Sequence, residues 1–380
     1  MTAPKLKPLA EQRIVITGAS SGIGLATAKA AAAVGAAVIL VARNEEALAQ
    51  AVAEIEADGG RAAYVAVDIA DDGAPERIGA QAERAFGGFD TWVNDAAVTE
   101  YARLRDTSLE DHRRIFEVDY FGLVRGSLYA AEALRGRGGA IINIGSILSD
   151  RAIPVQGIYC AAKHAVLGFT DALRMELEMD GAPISVTLIK PGSIDTPYPE
   201  HARNKMDQPA SVPPIVYDPS LVAEAILFAA QHPKRALIVG GGGAAIAAGN
   251  MLGRVTDKLM EAFGGEGAQS SPTPPEPGSE DNLYDARADG RIHGNQDHAT
   301  RQTSLALKAQ MHPVATAAII GGGAAAAAGA FFGGRALARK RDGRMNSVME
   351  TAITACDLAA SQALSEPHPP TEPRLEVPAK

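Results

Sequence analysis

The feature that most constrains this 380-residue chain is an alternation of two kinds of segment. Seven short runs are apolar and rich in β-branched residues: Arg13–Thr17 (RIVIT), Ala37–Ala42 (AVILVA), Ala62–Val67 (AAYVAV), Asp90–Val93 (DTWV), Ala140–Ile144 (AIINI), Ile184–Ile189 (ISVTLI) and Ala236–Val239 (ALIV). Longer Ala-, Glu- and Leu-rich stretches with helical period separate them. Strands covered by helices on both faces read as nearly continuous apolar runs, because neither face meets water. The pattern predicts an α/β fold built on a doubly wound, mostly parallel, seven-stranded sheet. An apolar content of 46 % is enough for a large core.

Charge and cysteine usage exclude several classes of function. A net charge of −9 and a pI near 5.5 do not suit a nucleic-acid surface, which needs clustered Lys and Arg against phosphate. Cys160 and Cys356 stand far apart, so a disulfide framework is not expected and a reducing, cytoplasmic setting is. No Cys/His cluster has metal-ligand spacing, and no metal is expected. The first residues, MTAPKLKPLAEQR, contain no apolar run of signal-peptide length.

The character of the chain changes after Val239. An N-terminal arm (1–12) and a catalytic domain (13–263) are followed by a Pro-, Gly- and acid-rich stretch (264–303). That stretch reads as a linker or a strap lying on the surface. Next come an Ala/Gly-rich helical segment (304–344) and a tail (345–380), partly disordered, with a helix candidate near Met345–Leu364. Pro313–Gly334 carries no charge and is followed by Arg335, Arg339, Lys340, Arg341 and Arg344. Its length and basic flank suit a membrane helix, with Gly329 and Gly333 allowing close helix packing. So many alanines and glycines suit a soluble helix equally, and both readings stand.

The turn TGASSGIG (Thr17–Gly24) follows the first strand and opens a helix. That context points to a dinucleotide's pyrophosphate. Gly18 allows the tight turn, Gly22 admits the phosphates, and Gly24 lets the helix pack close to the sheet. The helix N-terminus then offers free N–H groups and a positive dipole end. Gly18, Ser20, Ser21, Gly22, Ile23 and Gly24 are the candidate contacts. At the end of the second strand, Ala42-Arg43-Asn44 offers no carboxylate for ribose hydroxyls. Arg43 supplies a fork for a 2′-phosphate, which favours NADP(H) over NAD(H). Read instead as a solvated helix-start residue, Arg43 leaves the preference open. Asp68 suits the adenine amino group, or a turn or N-cap role.

These residues, with NDAA (Asn94–Ala97), Ser146 upstream of Tyr159-x-x-x-Lys163, and PGSIDT (Pro191–Thr196), resemble the short-chain dehydrogenase/reductase family. The resemblance covers about Arg13 to Val239 and implies a Rossmann-type reductase. By that resemblance Tyr159 is the catalytic acid/base, Lys163 binds the nicotinamide ribose and lowers the tyrosine pKa, and Ser146 orients the substrate oxygen. Asn94 steadies the central strand near the cofactor. Ile194 and Thr196 meet the carboxamide end, and Ala96, Pro191 and Gly192 belong to the same cofactor set. Pro197 to about Tyr217 resembles a mobile substrate lid. Two departures stand out. The motif usually written Asn-Asn-Ala-Gly is here Asn-Asp-Ala-Ala, and Asp119 stands where the family has a fourth catalytic residue, Asn. The family's relay runs through that residue's main-chain carbonyl, which an aspartate retains.

The chemistry implied is interconversion of a carbonyl and a secondary alcohol. A free phenol titrates near pH ~10, and an adjacent ammonium favours the phenolate. Ser146, Leu148, Val155 and Tyr198 are the candidate substrate contacts. Leu148, Val155 and, in the lid, Tyr198, Met206, Val212, Ile215 and Val216 suit an apolar pocket and a hydrophobic small-molecule substrate, and the lid residues suit internal packing equally. The rival reading is a catalytically impaired nucleotide-binding regulator or scaffold. A homo-oligomer is expected from the resemblance.

Overall fold

The computed structural model describes residues 4–241, 253–273, 280–287, 290–296, 299–314 and 316–317. The elements run β1 (Arg13–Thr17), α1 (Gly22–Ala33), β2 (Ala37–Ala42), α2 (Glu45–Ala57), β3 (Arg61–Ala66), α3 (Ala74–Phe86), β4 (Thr91–Asn94), β5 (Glu100–Tyr101), α4 (Leu109–Phe116) and α5 (Leu123–Leu134). They continue with β6 (Gly139–Ile144), α6 (Gly157–Met179), β7 (Ile184–Pro191), α7 (Tyr198–His201), β8 (Arg203–Asn204), α8 (Pro219–Gln231), β9 (Ala236–Val239), α9 (Arg254–Phe263) and α10 (Leu305–Met311).

Seven strands form one parallel sheet in the order β3-β2-β1-β4-β6-β7-β9. This is the doubly wound Rossmann-like fold that the seven apolar runs predict, with bounds differing by a residue or two. The strand order reverses between β1 and β4, and ligands bind beside the carboxyl ends of strands at such a switch point. β5 and β8 pair separately, joining the loop after β4 to the lid.

Alternate residues of each strand enter two cores. Ile14, Ile16, Val38 and Leu40 pack under α1, α2 and α8. Val15, Ile39, Trp92, Ile141 and Val186 pack under α3, α5 and α6. Helix starts are marked chemically. Asn44 caps α2 by accepting from Ala47 N–H at 2.8 Å, Ser108 caps α4, and Asp218 precedes Pro219 at the first turn of α8. Each such cap is worth about 1 kcal/mol.

The chain divides into two compact units, Met1–Pro313 and Val314–Lys380. The first takes in the described parts of 264–303. The second lies almost wholly outside the described residues, and with it most of the apolar segment 313–334 and the expected 345–364 helix. Among the described residues, no helix is long and apolar enough to cross a membrane.

Candidate active site

The glycine-rich turn sits at the carboxyl end of β1. Gly18 has φ +73°, and a Cβ there would lie 2.9 Å from the backbone of Ala96. A Cβ on Gly24 would run into the carbonyl of Gly18. These two glycines bring α1, β1 and the loop after β4 close enough to leave an open cradle. Gly18, Ser20, Ser21, Gly22 and Ile23 line a cavity of about 450 Å³ with Arg43, Asp68 and Ala96. Pro191, Gly192, Ile194 and Thr196 line its middle. A phosphate-sized approach to a helix N-terminus is what this cradle suits.

Two expected contacts are placed differently. Gly24 is the packing point and does not line the cavity. Asn94 is also absent from the cavity wall. Its amide accepts from Trp92 Nε1 at 2.8 Å and donates to Asn143 Oδ1 at 2.8 Å and Ser127 Oγ at 3.0 Å. Asn143 in turn donates to Thr170 at 3.0 Å. Asn94 therefore ties β4, β6, α5 and α6 together, one layer behind the site. The amide faces the helices because strand side chains alternate.

Of the two acidic departures from the family pattern, Asp119 is fully buried, while Asp95 is half-buried and lines the cavity. Burial pushes the Asp95 carboxyl up to about 7, against Lys163 and a hydrogen bond from Gly24 N–H. Burial pushes Asp119 up to about 6, against Lys163 and the Val98 N–H. Asp119 lies in a π-helical turn, Glu117–Gly122, between α4 and α5. Such turns often re-aim a functional side chain. Here the carboxylate itself faces the lysine. Ala97 lines the cavity without adopting a left-handed backbone, so its Cβ is accommodated.

Ser146, Tyr159 and Lys163 meet in the same cavity. Lys163 Nζ donates to Ile144 O at 3.2 Å and lies 5.4 Å from the centre of the Tyr159 ring. The sequence led us to expect a depressed tyrosine pKa. In the structure, burial and then the Asp119 charge push the phenol above its ordinary value, against hydrogen bonds with Ser146 and Tyr198. Ser146 also caps the short turn Ile147–Ser149, accepting from Leu148 N–H at 3.0 Å. Ser146 thus both caps this turn and lines the cavity. Cys160 is packed, and burial lifts its thiol to about 11.

The substrate end is lined by Leu148 and Tyr198 as expected, and by the lid residues Val212 and Ile215. Val155 does not line it. Its backbone is left-handed, φ 56°, and its carbonyl accepts from Ala102 N–H. Ile153 and Gln156 on either side take its place. Met206 and Val216 are likewise off the wall. Thr99, Tyr101 and Met260 were not anticipated. Thr99 and Tyr101 make the lining residues less uniformly apolar than the sequence indicates, with both hydroxyls buried. Only the fold brings them there, through the β5–β8 pairing.

Residues 281–287 and 290–296 lie against the cofactor end. Arg43 donates to the carbonyls of Asn282 and Tyr284, and Asn44 to that of Arg287. Gly22 N–H donates to Arg291 O at 2.8 Å, so this helix N-terminal donor is engaged by the strap. Asp68 accepts from Arg114 at 2.6 Å and from Ala70 N–H at 2.9 Å, which is a turn role beside the cavity.

A cradle at the switch point of a doubly wound sheet, continuous with a tyrosine–lysine pair, defines a class: oxidoreductases that work with a nicotinamide dinucleotide. The family model "short chain dehydrogenase" matches residues 12–207. "Uncharacterized oxidoreductase YxnA" of Bacillus subtilis is 45 % identical over 323 residues, 84 % of this chain and 90 % of that protein. The 2,5-dichloro-2,5-cyclohexadiene-1,4-diol dehydrogenase of Sphingobium indicum is 35 % identical over 212 residues, 55 % of this chain and 82 % of that protein. Among solved structures, L-sorbose reductase from Gluconobacter frateurii, complexed with NADPH and L-sorbose, matches with TM-score 0.54 and 27 % identity, covering 63 % of this chain and 97 % of that one. This chain belongs to the short-chain dehydrogenase family.

Proposed function

We propose that the chain is an NADP(H)-dependent oxidoreductase interconverting a carbonyl and a secondary alcohol, with Tyr159 as the acid/base. The observation that carries this is a single cavity holding the glycine cradle and Arg43 at one end and Ser146, Tyr159 and Lys163 at the other. The sorbose reductase that resembles it was solved with NADPH, and the resemblance supports the same nucleotide here.

The residues fit such a cofactor: Gly18 and Gly22 line the cavity at the start of α1 without side chains, and no acidic side chain ends β2. When bound, the nicotinamide supplies or accepts the hydride. Arg43 offers its guanidinium to a 2′-phosphate, and Asp68, paired with Arg114, does not oppose that charge. Tyr159 Oη gives its proton to the developing alkoxide in reduction and takes one from the alcohol in oxidation. Ser146 Oγ holds the same oxygen. A buried phenol with a raised pKa retains its proton at neutral pH, which suits the reductive direction. Leu148, Ile153, Val212 and Ile215 exclude water from the reacting carbon, while Thr99 and Tyr101 place hydroxyls nearby.

Exposed apolar side chains on α5 and α6, Leu128, Met175 and Met179, support a homo-oligomer formed through those helices. The function is tested by screening ketones and secondary alcohols against NADPH and NADP⁺. Turnover of any carbonyl/alcohol pair by wild type, lost in Tyr159→Phe, is the expected result. Normal cofactor binding without turnover across the screen favours a regulatory scaffold instead.

A further inference from the structure

We propose that residues 281–287 and 290–296 form the positioning element for Arg43, and that they thereby set the discrimination between a 2′-phosphate and a ribose hydroxyl. The proposal rests on the NADP(H) reading above.

The segment is DNLYDA followed by R-A-D-G-R-I-H-G-N-Q, a composition that buries little on its own. It is nevertheless pinned. Leu283 is fully buried among Val98, Ile115, Val118, Ile158 and Ala162. Three consecutive carbonyls flank that anchor, and two arginines satisfy all three. Arg43 donates to Asn282 O and Tyr284 O, and Arg114 Nε donates to Leu283 O at 2.8 Å. Further along, Glu200 of the lid bonds Arg291 at 2.8 Å and Asn295 N–H at 2.6 Å. The strap is thus fixed at both ends, to the sheet's carboxyl edge and to the lid.

The consequence falls on Arg43. A guanidinium has five N–H donors in a rigid plane. A free arginine side chain carries rotamer entropy, which binding must remove. Carbonyls on Asn282 and Tyr284 engage two of its nitrogens and fix the plane in advance. The remaining donors then meet a phosphate at lower entropic cost, which is pre-organisation. Asn282 and Arg287 line the same cavity as Arg43, so the strap forms part of its wall. The similarity to the Bacillus subtilis protein spans enough of the chain to run through this segment wherever it begins.

The test compares wild type with Leu283→Ala, Leu283→Met and Glu200→Ala in the full chain. Dissociation constants for NADPH and NADH are measured by fluorescence titration, with thermal melts alongside. The expected result is that Leu283→Ala and Glu200→Ala weaken NADPH by about tenfold while NADH moves by about threefold or less. Leu283→Met, which keeps the anchor, restores the wild-type ratio. Glu200→Ala leaves the core intact and carries the test if Leu283→Ala does not fold. Parallel weakening of both nucleotides, an unchanged ratio, or tighter NADPH binding would each overturn the proposal. Tighter binding would mean that the strap competes with phosphate for Arg43. Wild type that binds neither nucleotide would instead overturn the NADP(H) reading itself.

Discussion

The Asp119 carboxylate lies 3.8 Å from the Lys163 ammonium, and both side chains are shut away from solvent. The pair sits behind the tyrosine, and its negative member raises the phenol. Asp119→Asn removes that charge and leaves an amide of the same shape. The tyrosine-dependent limb of the pH–rate profile for alcohol oxidation should move to lower pH. Profiles of kcat/KM for wild type and variant check this, and an unmoved limb would detach Asp119 from Tyr159.

Asp95 makes a stability prediction with a definite sign. Its folded pKa, about 7, lies above the ordinary carboxylate value of 3.8. The folded state therefore binds more protons than the unfolded state between those values. Stability from this group falls as pH rises through that window and stays low above it. Asp95→Asn should flatten the melting temperature across that range and raise it at pH 8, because it removes a charge whose burial opposes ionisation. Thermal unfolding at several pH values measures it.

Arg43→Ala should weaken NADPH about 10- to 100-fold, since hydrogen bonds to charged groups contribute about 1.5–3 kcal/mol. NADH should change little. Equal losses for the two nucleotides would show that Arg43 does not meet the 2′-phosphate.

Asn94→Ala separates support from contact. It leaves Trp92 Nε1 without its partner inside the core and removes one of the two donors to Asn143 Oδ1. A loss of about 1–3 kcal/mol in unfolding free energy is expected, with NADPH affinity shifted far less. A large affinity change at unaltered stability would return Asn94 to the cofactor wall.

The strands were legible because burial on both faces writes itself as apolar runs. RIVIT, AVILVA and ALIV match β1, β2 and β9 residue for residue. The glycine turn was legible because φ and close approach admit only glycine at Gly18 and Gly24. Less was readable where a side chain's direction matters. Asn94 and Val155 carry the right positions in sequence, but strand alternation and a left-handed backbone turn them from the cavity. Asp119 was visible as a departure, yet its depth is a property of packing. The contacts between 281–296 and Arg43 join residues far apart in the chain, and a polar, proline-flanked composition gives no hint of a partner. Thr99 and Tyr101 reach the substrate end only because two short strands pair.

On the proposed function, Tyr159 transfers the proton that accompanies hydride transfer. Single-turnover reduction by NADPH, followed through nicotinamide absorbance for wild type and Tyr159→Phe with one active carbonyl substrate, tests it most directly. We predict a loss of about 100-fold or more in the variant, with the NADPH dissociation constant unchanged within about threefold. A variant that binds NADPH normally and reduces the substrate at the wild-type rate would contradict the account.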